Sequence, residues 1–142
     1  MALIAYADAS LLVSVIVPDA MSPRAHAFLT GHRPTLLVSD FGAAEFVSAV
    51  ARRVRTGELT ENHARAAFAA LDAWIGPRGR RLATTSADIV RADALLRRLD
   101  LPLRTPDALH IAIAERHRAS LATFDRQMTE AAKAVGLTVA PA

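Results

Sequence analysis

Four acidic residues, Asp8, Glu45, Asp107 and Asp125, have the type and setting of metal-binding carboxylates. Glu45 interrupts an apolar stretch made by Phe41, Ala44, Phe46, Val47 and Val50, and Asp8 lies between two apolar runs with only Ser10 as polar company. Acids are seldom set among apolar neighbours unless they are paired or hold a cation. No lysine or arginine lies within five residues of Asp8, and the nearest to Glu45 is Arg52. A hard divalent cation is the natural partner, and oxygen ligands in a chain without cysteine select Mg2+ or Mn2+. Such an ion activates water and stabilises the charge that builds up during phosphodiester hydrolysis, so no protein nucleophile is required. Four carboxylates converging without an ion would repel one another, and at least one is expected to hold its proton more tightly than usual. Three of these acids also have a plain structural use: Asp107 in the first turn of a helix, Asp8 and Asp125 as caps or turn residues.

The elements that must position these acids follow from apolar periodicity, capping residues, glycine and proline. Residues 3–7 read as a strand ending at Asp8, and 10–17 as a short helix stopped by Pro18. Residues 22–31 form a helix with Ser22 as its cap and Pro23 at its first position. A second strand covers 35–38. Ser39 or Asp40 then caps a helix running to Thr56, with Gly57 beyond its end; Thr60 caps the next, which ends near Gly76, and the two form a hairpin. Residues 81–84 are a weak third strand. Ser86 caps a helix with apolar positions Ile89, Leu95, Leu96 and Leu99, and Thr105-Pro106 caps and opens another. Residues 120–123 are a strand, 129–135 a last helix ending at Gly136, and 137–139 a final short strand. This alternation defines one α/β domain over residues 1–142 and forces parallel pairing through crossovers. Open parallel sheets bind ligands outside the carboxyl ends of their strands, where the four acids fall.

Composition narrows the partners. With 52% hydrophobic and 22% charged residues the chain is globular. The absence of cysteine excludes disulfides and thiolate metal sites and points to the cytoplasm. No signal peptide is read in the first residues, and no apolar stretch approaches the roughly 18–20 residues that span a bilayer, so no membrane partner is expected. Of the 17 basic residues only Lys133 is a lysine. Once four of the 14 acids are assigned to a site, ten remain against those 17, and a basic exterior around an acidic pocket suits a polyanionic substrate.

Four segments resemble the PIN-domain family and, within it, the VapC-type toxins. They are Tyr6-Ala7-Asp8-Ala9-Ser10-Leu11-Leu12, Ala43-Ala44-Glu45-Phe46, Thr105-Pro106-Asp107-Ala108-Leu109-His110-Ile111-Ala112 and Leu121-Ala122-Thr123-Phe124-Asp125. The resemblance covers nearly the whole chain and implies a three-layer α/β/α sandwich with a short parallel sheet. It implies a Mg2+-dependent endoribonuclease acting on RNA, with Asp8, Glu45, Asp107 and Asp125 matching the acidic quartet and Ser10 and Thr123 matching positions that support the metal shell. Water can stand between the metal and Asp107 or Asp125. The same resemblance implies a small VapB-type antitoxin as partner and a homodimer.

Other residues are expected to be structural. His110, one turn after Asp107, is assigned to packing or to a supporting hydrogen bond, and His26, His32, His63 and His117 lack ligand spacing. Asp40 is assigned to capping and Trp74 to core or dimer packing. The clusters Arg52, Arg53, Arg55 and Arg78, Arg80, Arg81 read first as solvated faces. Val50, Val54, Leu59 and Phe68 on the Gly57 hairpin are the expected wall of an antitoxin groove. Two rival readings remain at this level. A phosphotransfer protein would use Asp8 as acceptor, but Ser10 stands where a haloacid dehalogenase needs a second aspartate, and Lys133 lies outside a receiver's lysine position. A PIN-like binding module that has lost activity is the other, and the four acids argue against it.

Overall fold

The computed structural model describes residues 2–142. Four parallel strands, β1 (Ile4–Ala7), β2 (Thr35–Ser39), β3 (Gly79–Leu82) and β4 (Ser120–Ala122), form a sheet of order β3-β2-β1-β4. The register pairs Tyr6 with Leu37 and with Leu121. Helices α1 (Ala9–Ile16) and α2 (Ser22–His32) join β1 to β2, and α3 (Asp40–Arg55) and α4 (Glu61–Arg78) join β2 to β3. Helices α5 (Ser86–Leu96) and α6 (Thr105–Arg116) carry the chain from β3 to β4, and α7 (Arg126–Ala134) follows.

Side chains alternate across the strands and sort the core into two halves. Ala5, Ala7, Leu36, Val38 and Ala122 face α1 to α4, where Leu11, Leu12, Phe28, Phe46, Val50, Leu71 and Ile75 bury against them. Tyr6, Leu37 and Leu121 face the other layer, with Leu95 of α5, Ile111 of α6 and Met128 of α7. This is the expected α/β/α sandwich. Each large apolar side chain fully buried here contributes about 1.5–3 kcal/mol.

Several local expectations shift by one or two residues. Met21, not Ser22, precedes the first turn of α2; Ser22 Oγ instead donates to the Ser14 carbonyl at 2.7 Å and accepts the Asp19 N–H at 2.9 Å. Thr85, not Ser86, caps α5 in a reciprocal box with Asp88, and Arg104 rather than Thr105 holds the cap position of α6. Helix α7 begins at Arg126, capped by Asp125, three residues before the expected start. Strand β3 covers Gly79–Leu82 rather than 81–84, ending opposite Ser39, the last residue of β2, while the Thr84 N–H goes to Asp40 Oδ1 at 3.0 Å. Residues 137–139 make a single bridge, Leu121 to Val139, rather than a strand. Ile89 and Leu99 are exposed, so only the Leu95 side of α5 serves the core. Gly57 and Gly136 end α3 and α7 with φ of 81° and 83°, as their positions predict.

Among the described residues no helix is long and apolar enough to cross a membrane.

Candidate active site

The connections β1 to β2 to β3 step one way across the sheet, whereas β4 lies on the other side of β1. The topological switch point therefore lies between β1 and β4, and a crevice forms outside the carboxyl ends of strands that part in this way. Asp8 directly follows β1 at that crevice, and Thr123 and Asp125 follow β4.

Asp8 is 3% exposed. Its Oδ1 accepts Ser10 Oγ at 2.7 Å and the Leu11 N–H at 3.1 Å, capping α1, and its Oδ2 accepts Thr123 Oγ1 at 2.6 Å. Burial pushes the Asp8 carboxyl above its ordinary range, while the Thr123, Ser10 and Leu11 donors and nearby His110 pull it down. A raised aspartate was expected from repulsion among four acids; burial is its chief cause instead. Ser10 and Thr123 bind more than Asp8: Ser10 Oγ accepts the Phe124 N–H at 3.0 Å, and Thr123 Oγ1 accepts the Asp125 N–H at 3.0 Å. One network thus joins Asp8, Ser10, Thr123 and the backbone of Asp125. The Asp125 carboxylate accepts the Met128 N–H at 3.0 Å and caps α7.

Glu45 reaches the edge from α3, whose cap is Ser39 at the end of β2. Its Oε1 meets Nε2 of His110, a buried side chain on α6. His110 Nδ1 lies 2.6 Å from the Tyr6 hydroxyl, which lies 2.7 Å from Ser39 Oγ. Burial also pushes the Tyr6 phenol far up, so it stays protonated. Asp107, buried in the first turn of α6, accepts the Arg104 N–H at 3.2 Å, with Arg104 Nε at 3.5 Å. Asp107 and His110 stand three residues apart on α6, one turn of the same helix.

Asp8, Asp107 and Asp125 thus serve as capping or first-turn acceptors as well as candidates for chemistry, and a cap does not disqualify an acid. Among the described residues no three His, Asp or Glu side chains stand close enough to hold one ion directly. Sequence reasoning missed Tyr6, named Ser39 as a helix cap without its bond to Tyr6, and gave His110 a supporting role without naming Glu45 as its partner. The available signal was Tyr6 itself: a tyrosine in a central strand is buried, and a buried phenol needs a hydrogen-bond partner.

A parallel sandwich with a buried carboxylate at its switch point defines an α/β protein whose candidate ligand site is the carboxyl edge of its sheet. The chain belongs to the PIN domain family, whose profile matches residues 5–134. Its fold is similar to that of the VapC20 toxin from Mycobacterium tuberculosis, described as sarcin-ricin loop cleaving, with a TM-score of 0.73, 19% identity and coverage of 94% of this chain and 96% of that one. It is also similar to FitAcB from Neisseria gonorrhoeae, with a TM-score of 0.74, 18% identity and 96% coverage of both chains. A toxin-antitoxin complex from Klebsiella pneumoniae matches with a TM-score of 0.63, 19% identity and coverage of 97% of this chain and 98% of that one. No curated protein matches the chain significantly in sequence.

Proposed function

We propose that this chain is a divalent-metal-dependent endoribonuclease and the toxin half of a toxin–antitoxin pair. One observation carries the reading: Asp8, buried at the switch point, is surrounded by neutral donors and forms no ion pair among the described residues. A carboxylate offers about four lone-pair sites. Two on Oδ1 and one on Oδ2 are used, which leaves one on Oδ2 for a cation or its water. The donor set fits a hard ion. Mg2+ commonly keeps several waters and takes one or two carboxylates plus substrate phosphates, so direct contact with all four acids is not needed. Asp8 and Glu45 are the candidates for direct ligation, and Asp107 and Asp125 for contact through water. Ser10 and Thr123 orient Asp8. When bound, Mg2+ or Mn2+ supplies activated water and charge stabilisation for phosphodiester hydrolysis.

The toxin reading rests on family membership and on fold likeness to a named toxin and a toxin–antitoxin complex. It brings an antitoxin as partner and a homodimer as the assembled state. Val50 is wholly buried in the core and cannot line the expected groove; Val54, Leu59 and Phe68, half-buried on the hairpin, can.

The purified chain, free of antitoxin, is expected to cleave single-stranded or looped RNA with Mg2+ or Mn2+ and to stop in EDTA. Asp8→Asn is expected to lose about tenfold to a hundredfold. Full cleavage by Asp8→Asn, or by wild type in EDTA, would sink the metal mechanism. Expression without antitoxin is expected to arrest bacterial growth, with relief by Glu45→Gln at equal protein level.

A further inference from the structure

The hydrogen bonds that run from the start of α3 to Glu45 admit one consistent set of proton positions. Ser39 Oγ, fully buried, accepts the Gly42 N–H at 2.8 Å and contacts the Tyr6 hydroxyl. That hydroxyl contacts His110 Nδ1, and His110 Nε2 contacts Glu45 Oε1. Suppose Nδ1 carried a proton towards Tyr6. The Tyr6 proton would then go to Ser39, and the Ser39 proton would find no acceptor among the described residues, in a place closed to solvent. A buried hydroxyl with no acceptor keeps its desolvation cost. With the proton on Nε2 instead, Ser39 donates to Tyr6, Tyr6 donates to Nδ1, and Nε2–H donates to Glu45. Every proton is used. A doubly protonated imidazole and a Glu45 that donates its own proton both require Nδ1–H, so both strand the Ser39 proton.

We infer that Tyr6 and His110 are positioning residues for Glu45: they fix His110 in the Nε2–H tautomer, which binds Oε1 and leaves Oε2 free for the ion or its water. This rests on reading Glu45 as part of the metal centre. A glutamate has three side-chain torsions, and Glu45 is half-exposed, so unrestrained it would lose that freedom on binding an ion. Held by His110, it has lost it in advance, as precise sites require. The chain of donors starts at an N-terminal N–H of α3, the positive end of the helix, and each link polarises the next towards the carboxylate. If the network served only to satisfy buried polar groups, it could close on a backbone carbonyl. It ends instead on a half-exposed acid at the ligand-binding edge of the sheet.

The test pairs the imidazole 15N resonances of the metal-free chain with Mn2+ affinity by electron paramagnetic resonance. Wild type is expected to show His110 protonated at Nε2. Tyr6→Phe, which keeps the volume but removes the donor to Nδ1, and His110→Phe, which removes the donor to Glu45, are expected to weaken Mn2+ binding by about tenfold or more, in line with the loss of an outer-shell partner. His110→Gln, whose amide N–H lies near the Nε2 position, is expected to keep more affinity than His110→Phe. A wild-type Nδ1–H tautomer, or Tyr6→Phe and His110→Phe proteins that fold and bind Mn2+ as wild type does, would overturn the inference. Wild-type protein that binds no Mn2+ would overturn the metal reading itself, and with it any role of Glu45 towards an ion, whatever the tautomer.

Discussion

Thr123 Oγ1 donates to Asp8 Oδ2 at 2.6 Å and in the same position accepts the Asp125 N–H at 3.0 Å, so one hydroxyl locks the end of β4 to the acid that ends β1. Thr123→Val keeps the shape and removes both bonds. Asp8 Oδ2 then has no donor, and a backbone N–H loses its acceptor, which together cost about 1–3 kcal/mol of stability. Metal affinity and cleavage are expected to fall about tenfold, because the charged form of Asp8 has lost its shortest support. Thr123→Ser keeps the hydroxyl and is expected to retain most of both. Equal cleavage by the valine and serine variants would show that the hydroxyl plays no part.

Asp8 also gives a pH signature. Burial raises its pKa in the folded state above the ordinary 3.8, despite the donors around it. Over the interval between those two values the folded chain keeps a proton that the unfolded chain has lost. The Asp8 contribution is therefore most favourable below about 3.8 and is lost as pH rises towards the folded value. In EDTA the wild-type melting temperature is expected to fall, relative to Asp8→Asn, as pH rises across this interval. A bound divalent ion favours the carboxylate and reverses the trend. Parallel melting curves for the two proteins in EDTA would mean that Asp8 titrates as in an unfolded peptide.

Asp88 does the opposite job away from the site. Burial alone would raise its pKa, but Arg116, with Nε 2.7 Å from Oδ1 and Nη2 3.0 Å from Oδ2, and the Thr85 bonds outweigh it and leave Asp88 below the ordinary range. The pair ties α5 to α6 and so fixes the helix that carries Asp107 and His110. Its stabilisation is present above the unfolded pKa and is lost as pH falls through the lower folded one. Asp88→Asn is expected to cost about 1–3 kcal/mol in urea denaturation at neutral pH and to flatten the acid limb of the stability curve. An unchanged acid limb would show that the pair is not what fails in acid.

The carboxyl edge was legible because strand ends, proline and apolar runs are local signals, and three of the four acids sit within three residues of such a boundary. Cap positions slipped by one where Thr85 and Ser86, or Arg104 and Thr105, compete for the same turn, and only the backbone decides between them. Asp125 was read as a candidate ligand, and its local competence as a cap moved the start of α7. Thr84 lies outside β3 because the ladder ends with its partner strand at Ser39, and its N–H bonds to Asp40, 44 residues away. The Ser39–Tyr6–His110–Glu45 chain was out of reach for the same reason: its members lie on four elements, β2, β1, α6 and α3, separated by 33, 104 and 65 positions. No spacing rule links them until the sheet and α6 are assembled.

Arginines on α3 offer a route for a polyanion into the site. Arg52 lies two turns beyond Glu45 and lines both grooves that flank it, one with Glu45, Ser48 and Arg55, the other with Ser10, Asp19 and Phe124. Arg53 is engaged by Asp19 at 3.9 Å and Glu58 at 3.8 Å, whereas Arg52 forms no ion pair among the described residues. A guanidinium without a carboxylate partner is available to phosphate and matches it in a bidentate way. Arg52→Ala is therefore expected to raise KM for RNA several-fold with little change in kcat, since the residue would bind the strand rather than the reacting group. Losing one phosphate contact to a single strand is expected to reduce the slope of log affinity against log salt by about 0.7. Arg53→Ala, which breaks existing ion pairs instead, serves as the comparison and is expected to leave that slope unchanged. If Arg52→Ala matches wild type in both KM and salt dependence, Arg52 is solvated surface and takes no part in binding the strand.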